Sequence, residues 1–229
     1  MKKIIISAIT AGLLFTAGSV MAQVSFGPKL ALNVASMHDK SKNSGYTATN
    51  YTSKIGFQVG GMMNAKINDY FAIRPELLFN SVGAKATPSG ATETVGTNYL
   101  SLPVNFVGQL PINDKFKLQA FAGPYAALGL GGKYKYTYSG GSINGDVKMK
   151  KDPQAIGDKN AYYNPLDFGL NFGIGFQYTG FVFSASYSLG LTNVNPHYTN
   201  STSESHRNDD SKLTNRNLSF GVAYLFGGK

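Results

Sequence analysis

The sequence has 229 residues, 14% charged and 13% aromatic, with 27 glycines, no cysteine or tryptophan, and a formal charge of +9 at pH 7. An ordinary globular chain is about 25% charged and about 7% glycine, so the balance excludes a highly charged disordered chain, a coiled coil and most helical enzymes. Without Cys there are no disulfides, thiolate metal sites, thiol nucleophiles or N-terminal lipoprotein acylation.

Met1-Lys2-Lys3 is a short basic start, residues 4–20 are apolar apart from Ser, Thr and Gly, and Val20-Met21-Ala22 places small residues where a signal peptidase cuts. Residues 1–22 are expected to be a cleaved export signal, not a membrane anchor, and 23–229 a single domain. No later stretch is long and apolar enough to predict a second spanning helix.

From there the chain has a period of two, which puts residues i and i+2 on one face of a strand. In chain order the greasy positions are Phe26, Leu30, Leu32 and Val34; Ile55, Phe57, Val59 and Met63; Ile73, Leu77 and Phe79; Leu100, Leu102, Val104 and Phe106; then Leu118, Ala120, Ala122 and Leu128. The pattern returns at even positions 168–178, odd positions 181–191 and even positions 218–226. Each segment is long enough for the roughly 9–11 residues that a tilted membrane strand needs.

Tight turns are predicted near Ile67-Asn68-Asp69, over 111–115 and at Thr179-Gly180, where Asn, Asp and Gly suit turn geometry. Long polar connections are predicted over 37–53, 83–96, 131–164 and 193–213. Short turns at one end and long loops at the other predict an all-β fold: an eight-stranded antiparallel up-and-down transmembrane β-barrel in the bacterial outer membrane, with both termini periplasmic. Ile67-Asn68-Asp69-Tyr70-Phe71 recurs as Ile112-Asn113-Asp114-Lys115-Phe116, each leading into a strand. Tyr70, Phe71, Phe116, Tyr178, Phe181 and Phe226 gather near the turns, as an interfacial girdle would. A soluble β-sandwich or lipocalin-like barrel would carry Lys and Glu on its non-greasy face; here that face is Gly, Ser, Asn and Gln.

The chain resembles the small outer-membrane β-barrel domain of Bacteroidetes, the PorT or porin family. The residues that carry the likeness are Phe26-Gly27-Pro28-Lys29-Leu30-Ala31-Leu32-Asn33, Lys54-Ile55-Gly56-Phe57-Gln58-Val59-Gly60, Arg74-Pro75-Glu76-Leu77-Leu78-Phe79 and Tyr99-Leu100-Ser101-Leu102-Pro103. Gly123-Pro124-Tyr125, Asp167-Phe168-Gly169 and Tyr187-Ser188-Leu189-Gly190-Leu191-Thr192-Asn193 continue it in order. The resemblance implies the barrel and, through the family name, a part in secretion or solute passage. It also implies delivery by barrel assembly machinery, although Gly227-Gly228-Lys229 follows the terminal aromatic that such machinery reads.

By alternation Lys29, Asn33, Gln58, Asn64, Arg74, Glu76, Asn80, Asn105, Gln119, Asp167 and Asn171 face the lumen. Lys29, Arg74, Glu76 and Asp167 stand out as charges on strands that otherwise carry few. An eight-stranded tube is just wide enough for side chains, and unpaired buried charges cost several kcal/mol. A salt-bridged plug is favoured over an ion or solute path. Pro75 and Pro103 predict bulges or irregular pairing.

His38, His197 and His206 all fall in predicted outer loops, and their spacing matches no metal pattern. Ser188 points inward with no acidic orienter, so no catalytic residues, metal or cofactor are expected. Gly131-Gly132-Lys133 is followed by Tyr134, not the Ser or Thr of a phosphate loop. Lys133, Lys135, Lys148, Lys150 and Lys151 interleave with Tyr134, Tyr136 and Tyr138 in the longest loop. They are explained first by a β-hairpin of the fifth and sixth segments projecting above the membrane, and second by attraction to lipopolysaccharide phosphates. Nucleic acid does not fit the compartment. The expected protein is a monomer among outer-membrane lipids, structural or surface-interacting, with a narrow channel or a secretion component as alternatives. The polar 203–210 stretch is expected to be mobile.

Overall fold

The computed structural model describes residues 24–41, 49–151, 159–196 and 211–227. The expected export signal, His197, His206 and the 203–210 stretch lie outside these. The strands are β1 (Val24–Ser41), β2 (Tyr51–Lys66), β3 (Phe71–Ala86), β4 (Thr92–Pro111), β5 (Phe116–Tyr138), β6 (Gly141–Met149), β7 (Ala161–Tyr163), β8 (Leu166–Tyr178), β9 (Phe181–Gly190), β10 (Ser211–Tyr224) and β11 (Phe226–Gly227).

Eight of them form an antiparallel ring in the order β1-β2-β3-β4-β5-β8-β9-β10, closed by β10 on β1. Closure leaves no ladder edge, so the backbone is satisfied without water, as a lipid environment demands. Outside stands a continuous greasy belt in which Leu32, Ile55 and Ile174 are 64%, 75% and 67% exposed; the inward Asn33 and Asn105 are 0% exposed. Among the described residues no helix is long and apolar enough to cross a membrane.

The repeated turn motif folds the same way twice. Asn68 Oδ1 accepts the N–H groups of Tyr70 and Phe71, both at 2.8 Å. Asn113 Oδ1 accepts those of Lys115 and Phe116 at 3.0 and 2.9 Å. The third turn uses Thr179 and Gly180 with φ of 49° and 110°, the left-handed pair a two-residue hairpin needs. Near that turn, Phe116, Phe176, Phe183, Phe181, Tyr224 and Phe226 stack ring upon ring from β5 to β11.

Three expectations need correction. The first is corrected only in part: pairing is irregular at the prolines, where rungs are missing, but there is no bulge and the register resumes unchanged, as from Pro75↔Val104 to Leu78↔Ser101. A proline removes one donor and need not add a residue. The shifts lie between Ser53 and Phe57 on β2 and between Asn98 and Tyr99 on β4.

Second, much of the predicted loop sequence is strand. β1 runs through Met37 to Ser41, β3 to Ala86, and β4 begins at Thr92. There the alternation continues with its sign reversed: Met37, Ala84 and Val95 are buried, whereas His38, Lys40 and Lys85 are exposed. Third, β5 does project, but its partner there is β6, not β8. β8 pairs with β5 only up to Leu128↔Leu166; from Gly132 onward β6 takes its place, and β7 lies parallel to β6. The wall also parts on the other side. The β1–β2 ladder ends at Ala35↔Lys54, while β1 follows β10 to Ser41↔Ser211. The result is two facing ladders, packed on Met37, Ala84, Val95, Val147, Tyr163, Val194 and Leu213.

Candidate functional site

Each lumen side chain follows from the alternation of its strand. β3 carries Arg74 and Glu76 on its inner face, and β1 brings Lys29 from two strands away. Lys29 Nζ donates to Glu76 Oε2 at 2.6 Å, with both side chains buried. Asn105 Nδ2 donates to the other carboxylate oxygen at 3.3 Å. Arg74 is held by amides: its Nε donates to Asn64 at 3.1 Å and its Nη2 to Gln119 at 2.9 Å.

Asp167 stands apart from these three. Its Oδ2 accepts the Tyr125 hydroxyl at 3.1 Å and Asn215 Nδ2 at 2.9 Å, and Asn215 also donates to the Tyr99 hydroxyl at 3.3 Å. Among the described residues its Oδ1 has no hydrogen-bond partner. The four charges expected together thus divide into a group of three and a separate carboxylate.

Amides join the rest, because Asn and Gln donate and accept without carrying charge. Asn171 donates to Asn105 at 2.9 Å, and Ser188 donates to Asn171 at 3.0 Å. Gln119 reaches Gln109 at 3.3 Å and Gln177 at 3.2 Å. Gln58 donates to Asn80, which donates to Ser101. Asn33 accepts from Asn217 and Ser219 at 3.2 and 2.7 Å. Two rings of β5 fill the gaps left by glycines on the neighbouring strand β8: Tyr125 pairs with Gly169 and Phe121 with Gly173. A β-carbon on either glycine would stand 2.6 Å from the ring opposite.

The polar section ends in apolar side chains. Met62, Val182, Ala223 and Leu225 cluster near the short turns, and the core between the two ladders lies at the other end. Between them is a cavity of about 60 Å³ lined by Lys29, Glu76, Asn80, Tyr99, Asp167 and Asn171, among others. That is room for about two water molecules.

Sequence reasoning placed the inner face but missed Tyr99, Tyr125, Asn215 and Asn217 as network members. For Tyr99 the signal was present, since outward Leu100 and Leu102 force their odd-numbered neighbour inward. Of the basic residues expected in a loop, Lys133 and Lys135 lie on β5 and Lys148 on β6, all exposed beyond the greasy belt. Lys150 and Lys151 follow β6. The hydrogen bond from Lys133 Nζ to Asp146 Oδ1, at 2.7 Å, holds the Asp146 carboxyl below its ordinary range. His38 is exposed on β1, and Ser188 is committed to Asn171. Among the described residues no three His, Cys, Asp or Glu side chains come together as a metal site.

A closed ring that is greasy outside and hydrogen-bonded within defines a membrane-spanning β-barrel protein. The chain belongs to the outer membrane protein β-barrel domain family, whose model matches residues 18–195. Its membrane is therefore the bacterial outer membrane. No curated protein matches the chain in sequence. Among solved structures it is similar to Ail, the attachment invasion locus protein of Yersinia pestis, in complex with the heparin analogue sucrose octasulfate; the match has 15% identity and a TM-score of 0.40, covering 89% of this chain and 99% of that one. Neisserial surface protein A matches with 15% identity, a TM-score of 0.44 and the same coverages. OprG from Pseudomonas aeruginosa matches with 10% identity and a TM-score of 0.43, covering 90% of this chain and 99% of that one.

Proposed function

We propose that this protein is a non-conducting, non-enzymatic barrel that acts through its extracellular surface, its lumen filled by its own side chains. One observation carries the reading: Lys29, Glu76, Asn105, Asn171 and Ser188 form an unbroken chain of contacts from β1 through β3, β4 and β8 to β9. A solute passing through would have to break it, and separating a buried ion pair costs several kcal/mol. Conductance of the refolded protein in planar bilayers tests this. Silence is expected, and steady single-channel openings would overturn it.

The narrow solute channel is the second reading, favoured by the cavity of about 60 Å³ beside that chain. Openings abolished by Ser188→Trp would establish it. No contact among the described residues favours a secretion component; normal surface-protein secretion after gene deletion would remove that role. The reading includes removal of residues 1–22, delivery by barrel assembly machinery and a monomer with both termini in the periplasm. The stacked rings near the Thr179–Gly180 turn support an interface at that rim. The rim with Lys133, Lys135, Lys148, Lys150 and Lys151 then faces outward, towards lipopolysaccharide.

A further inference from the structure

One patch of the outer wall gathers basic side chains from β2, β3 and β5. At the shift between Ser53 and Phe57, β2 gains a residue against β3, and a bulge of this kind re-aims a side chain. Ser53 pairs with the inward Ala84 and Ile55 faces out, so Lys54 and Ile55 both point outward. Lys54 reaches the cross-strand pair Gly83 and Gly96, its ammonium 3.4 Å from where a β-carbon on Gly96 would stand. Lys133 is the residue opposite Gly96 on β5.

One outward rung farther from the belt, Lys85, Thr94 and Lys135 stand side by side on β3, β4 and β5. At the usual strand spacing the two lysine backbones are roughly 10 Å apart. Among the described residues, the carboxylate facing this set is Asp146, and Lys133 occupies it at 2.7 Å. Glu93 turns to the opposite face. Lys54, Lys85 and Lys135 have no ion pair among the described residues. Like charges ranged across a sheet repel, and an anion seated between them turns that repulsion into attraction. Towards the belt, the same β3 and β4 continue to the paired Phe79 and Leu100, where acyl chains lie. An anion tethered to acyl chains is a lipid phosphate.

We propose that Lys54, Lys85, Lys135 and Thr94, above the Gly83–Gly96 floor, seat a phosphate of a phosphorylated outer-leaflet lipid, the lipid A of lipopolysaccharide. The assignment rests on this rim facing the cell exterior. The binding test does not, because nanodiscs present lipid at both rims. Protease cleavage at 139–140 on whole cells reads orientation separately.

The full-length mature protein is placed in phosphatidylcholine nanodiscs doped with diphosphorylated lipid A, and retained lipid A is measured by native mass spectrometry. Heat-modifiable gel migration checks that each variant folds. The triple variant Lys54→Gln/Lys85→Gln/Lys135→Gln is expected to bind roughly a hundredfold more weakly, about fivefold per lysine. The variant Lys66→Gln/Lys115→Gln/Lys117→Gln removes the same charge at the opposite rim and is expected to bind within twofold of the parent. Gly96→Val keeps every charge but crowds the place where Lys54 lies, with an expected loss of about fivefold. Equal losses in both triple variants would overturn the seat, as would undiminished binding of dephosphorylated lipid A. Displacement of lipid A by an equal concentration of a soluble sulfated oligosaccharide would overturn the assignment to a lipid.

Discussion

Along β1 the chain presents Lys29 and Asn33 to the inside and Leu30 and Leu32 to the outside; a few residues later it presents Met37 inside and His38 and Lys40 outside. β3 makes the same exchange, from inward Arg74 and Glu76 to inward Ala84 and outward Lys85. One set of strands thus builds two interiors of opposite polarity. The cause is the medium outside. Against lipid, burying apolar side chains gains little, so the interior is held by hydrogen bonds and an ion pair. Against water the hydrophobic effect returns, and the interior becomes an ordinary apolar core.

The contrast can be broken most sharply at Glu76. Glu76→Leu leaves the Lys29 ammonium buried and unpaired, an expected loss of 3–5 kcal/mol in urea unfolding from lipid vesicles (roughly, by analogy with other buried pairs). Lys29→Met/Glu76→Leu is expected to recover most of it, and a double variant as unstable as the single would show that the pair is not the cause. Leu213→Ala, in the upper core, is expected to cost about 2–3 kcal/mol. Its signature is local: hydrogen exchange should rise in β6 and β7 and stay unchanged in β8 and β9.

Gly173→Ala tests packing inside the spanning section. The added methyl meets the Ala185 carbonyl oxygen of β9 as well as the Phe121 ring, for an expected loss of about 1–3 kcal/mol by the same unfolding assay. The smallest effect is a pH trend. Burial holds the Glu93 carboxyl above its ordinary value of 4.5, so the folded form binds this proton more tightly than the unfolded form. The contribution is fully present below pH 4.5 and is lost as pH rises through the folded value. Asp146, lowered through Lys133, acts in the opposite sense, losing its contribution as pH falls below 3.8. Exchange protection at the upper ends of β4 and β5 should therefore weaken from pH 5 upward, and Glu93→Gln should flatten that trend.

The spanning ring was legible because Phe168 to Tyr178 and Phe181 to Leu191 keep one greasy face throughout. The upper strands were not. A search for a greasy outward face stops where Lys85 and Lys135 take that face, although Ala84 and Val95 continue the same period inside. The lumen list followed from alternation, and each of its residues is buried. Which partners meet depended on register across strands distant in sequence: Lys29 and Glu76 meet across β2, while Asp167 sits nearer Asn215. Lys54 was hidden for a different reason, since a one-residue bulge cancels the parity that the sequence reading relies on.

The strand β5 exchanges β8 for β6 partway along its length. The excursion leaves after Leu128 and returns at Leu166, which are partners across one rung. It begins and ends at the same place, so the part beyond the β4–β5 ladder, which runs to Thr92↔Thr137, can change in length while every rung between β5 and β8 keeps its partner. Mutability and assembly thereby fall on separate stretches of one chain, and the surface farthest from the membrane can be rewritten without re-solving how the barrel folds.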